Sequence, residues 1–64
     1  MQKETAELLS PAEAAERLGV TENWLEDARL RKVGPAYLRL GYRTVRYSIE
    51  DLDAFIAARR QVPA

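Results

Sequence analysis

The chain has 64 residues, contains neither cysteine nor histidine, and sets ten Lys and Arg against ten Asp and Glu. That length allows one small domain, which buries only about 60% of the surface its unfolded form exposes and is therefore of marginal stability. Without Cys or His there is no disulfide, no thiolate or imidazole metal site, no catalytic triad and no imidazole base, so no metal, no cofactor and no enzymatic activity are expected.

Residues 1–8 show no clear apolar period and are expected to form a tail, followed by a domain over 9–60 and a second short tail at 61–64. "LLSPAEAAERLGV" predicts a capped helix. Ser10 is its N-cap, Pro11 takes the first helical position, and Glu13 completes an S-x-x-E capping box. Leu9 is placed to staple onto Ala14. Ala14, Ala15 and Leu18 form the inward stripe, and Gly19 ends the helix in a left-handed conformation. "TENWLEDARLRK" predicts a second helix capped by Thr21, with only Gly19 and Val20 between it and Leu18. A short glycine-containing turn between two helices is the signature of a helix-turn-helix. Val20, Leu25 and Ala28 have the spacing to pack on the first helix, and "VGP" stops the second.

"YLRLGYRTVRYS" alternates at period two on either side of "GYRT", which predicts a hairpin with a four-residue loop. Pairing Leu40 with Val45 sets Leu38 opposite Tyr47, with both pairs inward, and sets Arg39 opposite Arg46 on the outer face. Like charges so placed destabilise a sheet by up to about 1 kcal/mol, and an anion lying on that face would relieve them. "SIEDLDAFIAARR" predicts a last helix capped by Ser48, with Ile49, Leu52, Phe55 and Ile56 inward. Its acidic first turn and the terminal Arg59 and Arg60 suit the helix dipole and need no functional explanation.

The charge balance hides a segregation. Residues 1–28 sum to minus five, residues 29–46 to plus six, and the remainder to minus one. A basic stretch free of carboxylates suggests a polyanion or an acidic partner. The order helix, turn, helix, hairpin, helix is a small winged helix, mainly α with a two-stranded wing. No apolar run approaches about 18 residues, so neither a membrane span nor a signal peptide is expected, and the default location is the cytoplasm.

"LLSPAEAAERLGVT" followed by "GPAYLRLGYRTVRYSIEDLDAFIAARR" resembles the phage excisionases, or recombination directionality factors, and the related AlpA-type regulators, which are small MerR-like winged helices. The resemblance implies binding to double-stranded DNA in a bacterial host, associated with the nucleoid. The second helix would enter the major groove and the wing would lie over phosphates and the adjacent minor groove. It further implies cooperative head-to-tail self-association on DNA, DNA bending, and direction of a phage tyrosine or serine integrase toward excision, with no chemistry of its own. The residues placed for the major groove are Thr21, Glu22, Asn23, Trp24 and Asp27. Those placed for phosphates are Arg29, Arg31 and Lys32, and those of the wing are Arg39, Tyr42, Arg43, Thr44 and Arg46.

Where relatives often carry basic or polar residues, this helix carries Glu22, Glu26 and Asp27, which phosphates repel although a carboxylate can accept from cytosine N4. Direct base readout is therefore expected to be limited, and to rest on Thr21, Asn23 and Trp24. Much of the specificity would come from DNA shape and from multiple bound copies. Trp24 has three readings: it lies across the helix-wing junction, it touches DNA sugars, or it meets a neighbouring protomer. The acidic first helix (Glu7, Glu13, Glu16) has no partner within the monomer. This predicts a free monomer that assembles on sites about one helical turn apart. Two other functions fit the same residues: an AlpA-type transcriptional regulator, and a protein-interaction module such as an antitoxin or adaptor.

Overall fold

The first helix begins where its sequence requires. In the computed structural model, which describes residues 7–61, the Ser10 hydroxyl accepts from the Glu13 N–H at 3.2 Å and the Glu13 carboxylate accepts from the Ser10 N–H at 2.9 Å. Two orphan donors at the helix start are thereby satisfied. The elements are β1 (Leu8–Leu9), α1 (Pro11–Leu18), α2 (Glu22–Leu30), β2 (Leu38–Arg39), β3 (Val45–Ser48) and α3 (Ile49–Ala58). Together they make the winged helix: three helices and a small antiparallel sheet in the order β1-β3-β2. Among the described residues, no helix is long and apolar enough to cross a membrane.

Both helices of the helix-turn-helix end in the same way. Val20 N–H reaches the Ala15 carbonyl and Gly19 N–H reaches Glu16; Val33 N–H reaches Ala28 and Lys32 N–H reaches Arg29. This is the Schellman pattern, which needs a left-handed residue just past the helix. Gly19 supplies it at φ 76°, as its type favours, whereas Lys32 supplies it at φ 61° with a side chain attached. The second helix thus ends earlier than "VGP" suggests. Gly34 serves a different need, because a Cβ there would come within 2.9 Å of the Ala28 Cβ. Absence of a side chain lets the chain leaving α2 pass close against that helix.

The core is small. Ala14, Ala15, Leu25, Val45, Tyr47 and Leu52 are buried together, with Leu9, Leu18 and Val20 packed around them. Alanines on α1 let α2 and β3 approach closely, and Tyr47 is the largest side chain fully removed from solvent. On α3 only Leu52 is fully buried; Ile49 and Phe55 are half-buried and Ile56 is exposed. Thr21 and Ser48 cap α2 and α3 by accepting from the Trp24 and Asp51 N–H groups. Arg59 reaches back from the end of α3 to the Val33 carbonyl at 3.0 Å.

Two further expectations need correction. Leu8 belongs to β1 and not to a tail: Leu8 pairs with Ser48 and Leu9 with Tyr47, and the Glu7 carbonyl accepts from the Ile49 N–H. A two-residue strand is too short to show a period, and it forms because the free edge of β3 is available. Residues 1–6 of the expected N-terminal tail, and residues 62–64 of the C-terminal one, lie outside the described residues.

The hairpin register is also one residue away from the expected pairing. Leu38 faces Arg46 and Arg39 faces Val45. The loop is the three residues 41–43, closed by the Leu40 N–H donating to the Thr44 carbonyl at 2.8 Å. Shifting register by one sends every side chain of β2 to the other face. Leu38 and Leu40, expected inside, are exposed, and the repulsion expected between Arg39 and Arg46 does not arise. The core explains the choice. Val45 and Tyr47 point inward, and this register brings Tyr37 to the same face, its ring 6.2 Å from that of Tyr47 and tilted by 52° with its outer side exposed.

Candidate nucleic-acid interface

Leu25 and Ala28 turn one side of α2 into the core. At 100° per residue, the opposite side carries Asn23, Glu26, Asp27 and Leu30, with Glu22 toward one edge. All five are exposed. Thr21 is also exposed, but its hydroxyl oxygen already accepts from the Trp24 N–H. Leu30 is 70% exposed and was not among the residues expected from sequence. The signal was available, because Leu30 falls off the stripe set by Leu25 and Ala28 and onto the face of Asn23.

Trp24 projects to the flank of α2 away from the wing. With Leu18, Val20, Phe55 and Ile56 it lines a mostly apolar groove of about 450 Å³, and it remains 46% exposed. Of its three readings, the position across the helix-wing junction is therefore not the one it occupies. Its spacing matches Arg31 on that flank, whereas the wing lies beside Arg29.

Arg29 joins the core to the surface. Its Nη1 donates to the Tyr47 hydroxyl at 3.2 Å, which gives the buried phenol its polar partner. Its guanidinium lies 5.7 Å from the centre of the Tyr37 ring. Its Nε is buried and has no hydrogen-bond partner among the described residues. From the wing, Arg39 stacks over the same Tyr37 ring at 6.0 Å and donates to the Tyr42 carbonyl at 3.3 Å. Arg43 lies over the Tyr42 ring at 5.6 Å.

These cations converge at the seam between α2 and the wing. Arg29, Arg39 and Arg43 line one cleft of about 390 Å³ together with Glu26, Leu30, Tyr42 and Val45. A second cleft of about 400 Å³ continues past Arg29 to Lys32 and Tyr37. Among the described residues, the ion pairs are Arg17 with Asp53 at 3.1 Å and Arg31 with Asp27 at 3.2 Å. Neither involves Arg29, Arg39 or Arg43: Arg29 and Arg39 are held by rings and oxygens and Arg43 by a ring, with Glu26 lining the same cleft but forming no ion pair among the described residues.

Not every expected residue joins this cluster. Arg31 is occupied on the far flank by Asp27, one helical turn before it. Arg46 lies on the other face of the sheet beside Leu38, its Nη1 on the Val45 carbonyl at 2.8 Å. Thr44 is exposed, and its backbone closes the wing loop. Lys32 is exposed just beyond α2. The basic stretch is thus split, with Arg39 and Arg43 toward α2 and Arg46 away from it.

The family model described as a helix-turn-helix domain matches residues 8–60. That family includes small DNA-binding proteins of the excisionase and AlpA types, and its members are typically not enzymes. Among curated proteins, none matches the chain.

Proposed function

Because the chain belongs to the helix-turn-helix domain family, we propose that it is an architectural DNA-binding protein of the excisionase type. Asn23, Glu26, Asp27 and Leu30 face the major groove, and the wing lies over phosphates and the neighbouring minor groove. The observation that carries this reading is the seam of Arg29, Arg39 and Arg43, which has no carboxylate partner among the described residues and sits where helix and wing would straddle one backbone strand. Glu22, Glu26 and Asp27 repel phosphates, so affinity comes from the seam and the wing, and much of the specificity from DNA shape. Asn23 is the side chain suited to a bidentate contact with adenine, and Leu30 to an apolar contact with a thymine methyl group.

Self-association completes the proposal. Glu7, Glu13 and Glu16 line one shallow depression with Arg17, away from the seam. Copies bound in one orientation would set this acidic surface against basic residues of the next copy, a heterologous contact that propagates along DNA. DNA raises the effective concentration of a contact too weak to form in free solution. The array bends DNA and directs an integrase toward excision. Binding sites selected from a random duplex library, then placed singly and in tandem for electrophoretic mobility, test this. A ladder of cooperative complexes from a protein that sediments as a monomer is expected. Occupation of one palindrome by a stable dimer would instead indicate a transcriptional regulator, and no binding at low salt would indicate a protein-interaction module.

A further inference from the structure

The three tyrosines of the chain all lie in or beside the wing, and two of them have structural roles. Tyr47 is buried in the core, and Tyr37 packs against it while receiving the guanidinium groups of Arg29 and Arg39. Tyr42 has no such role: it is 87% exposed at the tip of the wing. The backbone beneath it is hydrogen-bonded. Arg39 donates to the Tyr42 carbonyl, and the loop is closed by Leu40 N–H to the Thr44 carbonyl at 2.8 Å and Thr44 N–H to the Gly41 carbonyl at 3.4 Å. Arg43 lies toward one face of the ring and leaves the rest open. A hydrogen-bonded tip thus presents a large ring beside Arg43, with Arg39 on the backbone beneath it.

We propose that Tyr42 is a wedge that enters the minor groove at a base step and partly unstacks it, so that the wing reads the deformability of that step. This rests on the reading of the chain as a binder of duplex DNA. An aromatic ring removes a large area from water when it is covered. The cations beside it, Arg39 and Arg43, would bring the phosphate backbone to it. Side chains inserted between base steps kink the duplex, and the kink is least costly at pyrimidine–purine steps, which are the most deformable. The Arg29–Tyr47 hydrogen bond ties α2 to β3. The wing tip therefore lands at a fixed distance from the bases that α2 faces, and the preferred step should occur at one constant spacing.

The test compares the full chain with Tyr42→Ala and Tyr42→Phe. Each is used to select sites from a random duplex library, and each is then bound to the wild-type site carrying 2-aminopurine at the preferred step. Wild type and Tyr42→Phe are expected to select a pyrimidine–purine step at constant spacing and to raise the fluorescence of the unstacked base. Tyr42→Ala is expected to keep the bases faced by α2, lose the step preference and the fluorescence rise, and bind the selected site roughly tenfold more weakly. Its melting temperature should match wild type, since the ring is in solvent. Tyr42→Ala selecting the same step overturns the wedge and leaves DNA binding standing. Tyr42→Phe failing along with Tyr42→Ala also overturns it, because the hydroxyl and not the ring would then be acting. A wild-type chain that enriches no duplex overturns the DNA-binding reading itself.

Discussion

Arg17 in the helical body and the arginines at the seam are held in opposite ways. In the body, Arg17 of α1 meets Asp53 of α3 at 3.1 Å, while Arg59 is held as the seam arginines are, 4.5 Å from the centre of the Phe55 ring and donating to the Val33 carbonyl. These contacts tie one element to another. At the seam, Arg29 and Arg39 share the Tyr37 ring, and their donors go to a phenol and a carbonyl. Both sets are positioned, but Arg17 has its charge neutralised, and among the described residues no carboxylate pairs with the seam arginines. A marginal domain gains little from holding like charges near one another, so the difference locates the surface on which an anion is expected.

The largest effect should come from removing what supports the seam. Tyr47→Ala takes out the largest fully buried side chain and is expected to cost about 3–5 kcal/mol, enough to unfold so small a domain. Urea denaturation followed by circular dichroism measures it. Tyr47→Phe isolates the hydrogen bond to Arg29, with an expected loss of about 0.5–1.5 kcal/mol in stability and weaker DNA binding as Arg29 loses its anchor.

Charge removal should separate the two sets of arginines next. Arg29→Ala, Arg39→Ala and Arg43→Ala should each weaken binding to all sequences alike. Each should also reduce the slope of log affinity against log salt by roughly 0.9 for every phosphate it no longer neutralises. Arg17→Ala should leave that slope unchanged. Equal slopes for seam and body variants would dissolve the distinction. Since Arg39 faces Val45 and holds the Tyr42 carbonyl, its removal should loosen the wing loop and bring no gain in stability.

A smaller effect is expected at Lys32, which takes the left-handed position that Gly19 fills at the end of α1. Lys32→Gly should stabilise the fold by about 1 kcal/mol, because the strain of a side chain at positive φ is removed. DNA affinity should fall in the same variant if the lysine charge is in use. Thermal melts and salt titrations of one preparation read both signs. The smallest effect is expected from the exposed Arg17–Asp53 pair. A double-mutant cycle there should give at most about 1 kcal/mol, vanishing as salt is raised.

The caps, the helix-turn-helix and the overall winged-helix order were legible in the residues because each depends on near neighbours. Ser10 with Glu13, Thr21 before Trp24, Ser48 before Asp51 and Gly19 after Leu18 act within one helical turn. Those elements, the family resemblance and the basic stretch from Arg29 to Arg46 could all be read along the chain. Which cations share a surface could not, because that depends on packing. The hairpin register turned on whether Leu38 or Tyr37 would join Tyr47, a choice between two alternations that look alike in sequence and differ only in how they fit Leu25, Val45 and Leu52. With it went the split of Arg39 and Arg43 from Arg46, the exposure of Leu38 and Leu40, and the Arg29 seam. β1 likewise exists only because β3 leaves an edge for Leu8 and Leu9. Trp24 followed the packing of α3 against α1 and the turn. Local hydrogen bonds close within a few residues and leave a pattern along the chain, whereas a face shared by α2 and the wing is set by core packing between residues far apart in sequence.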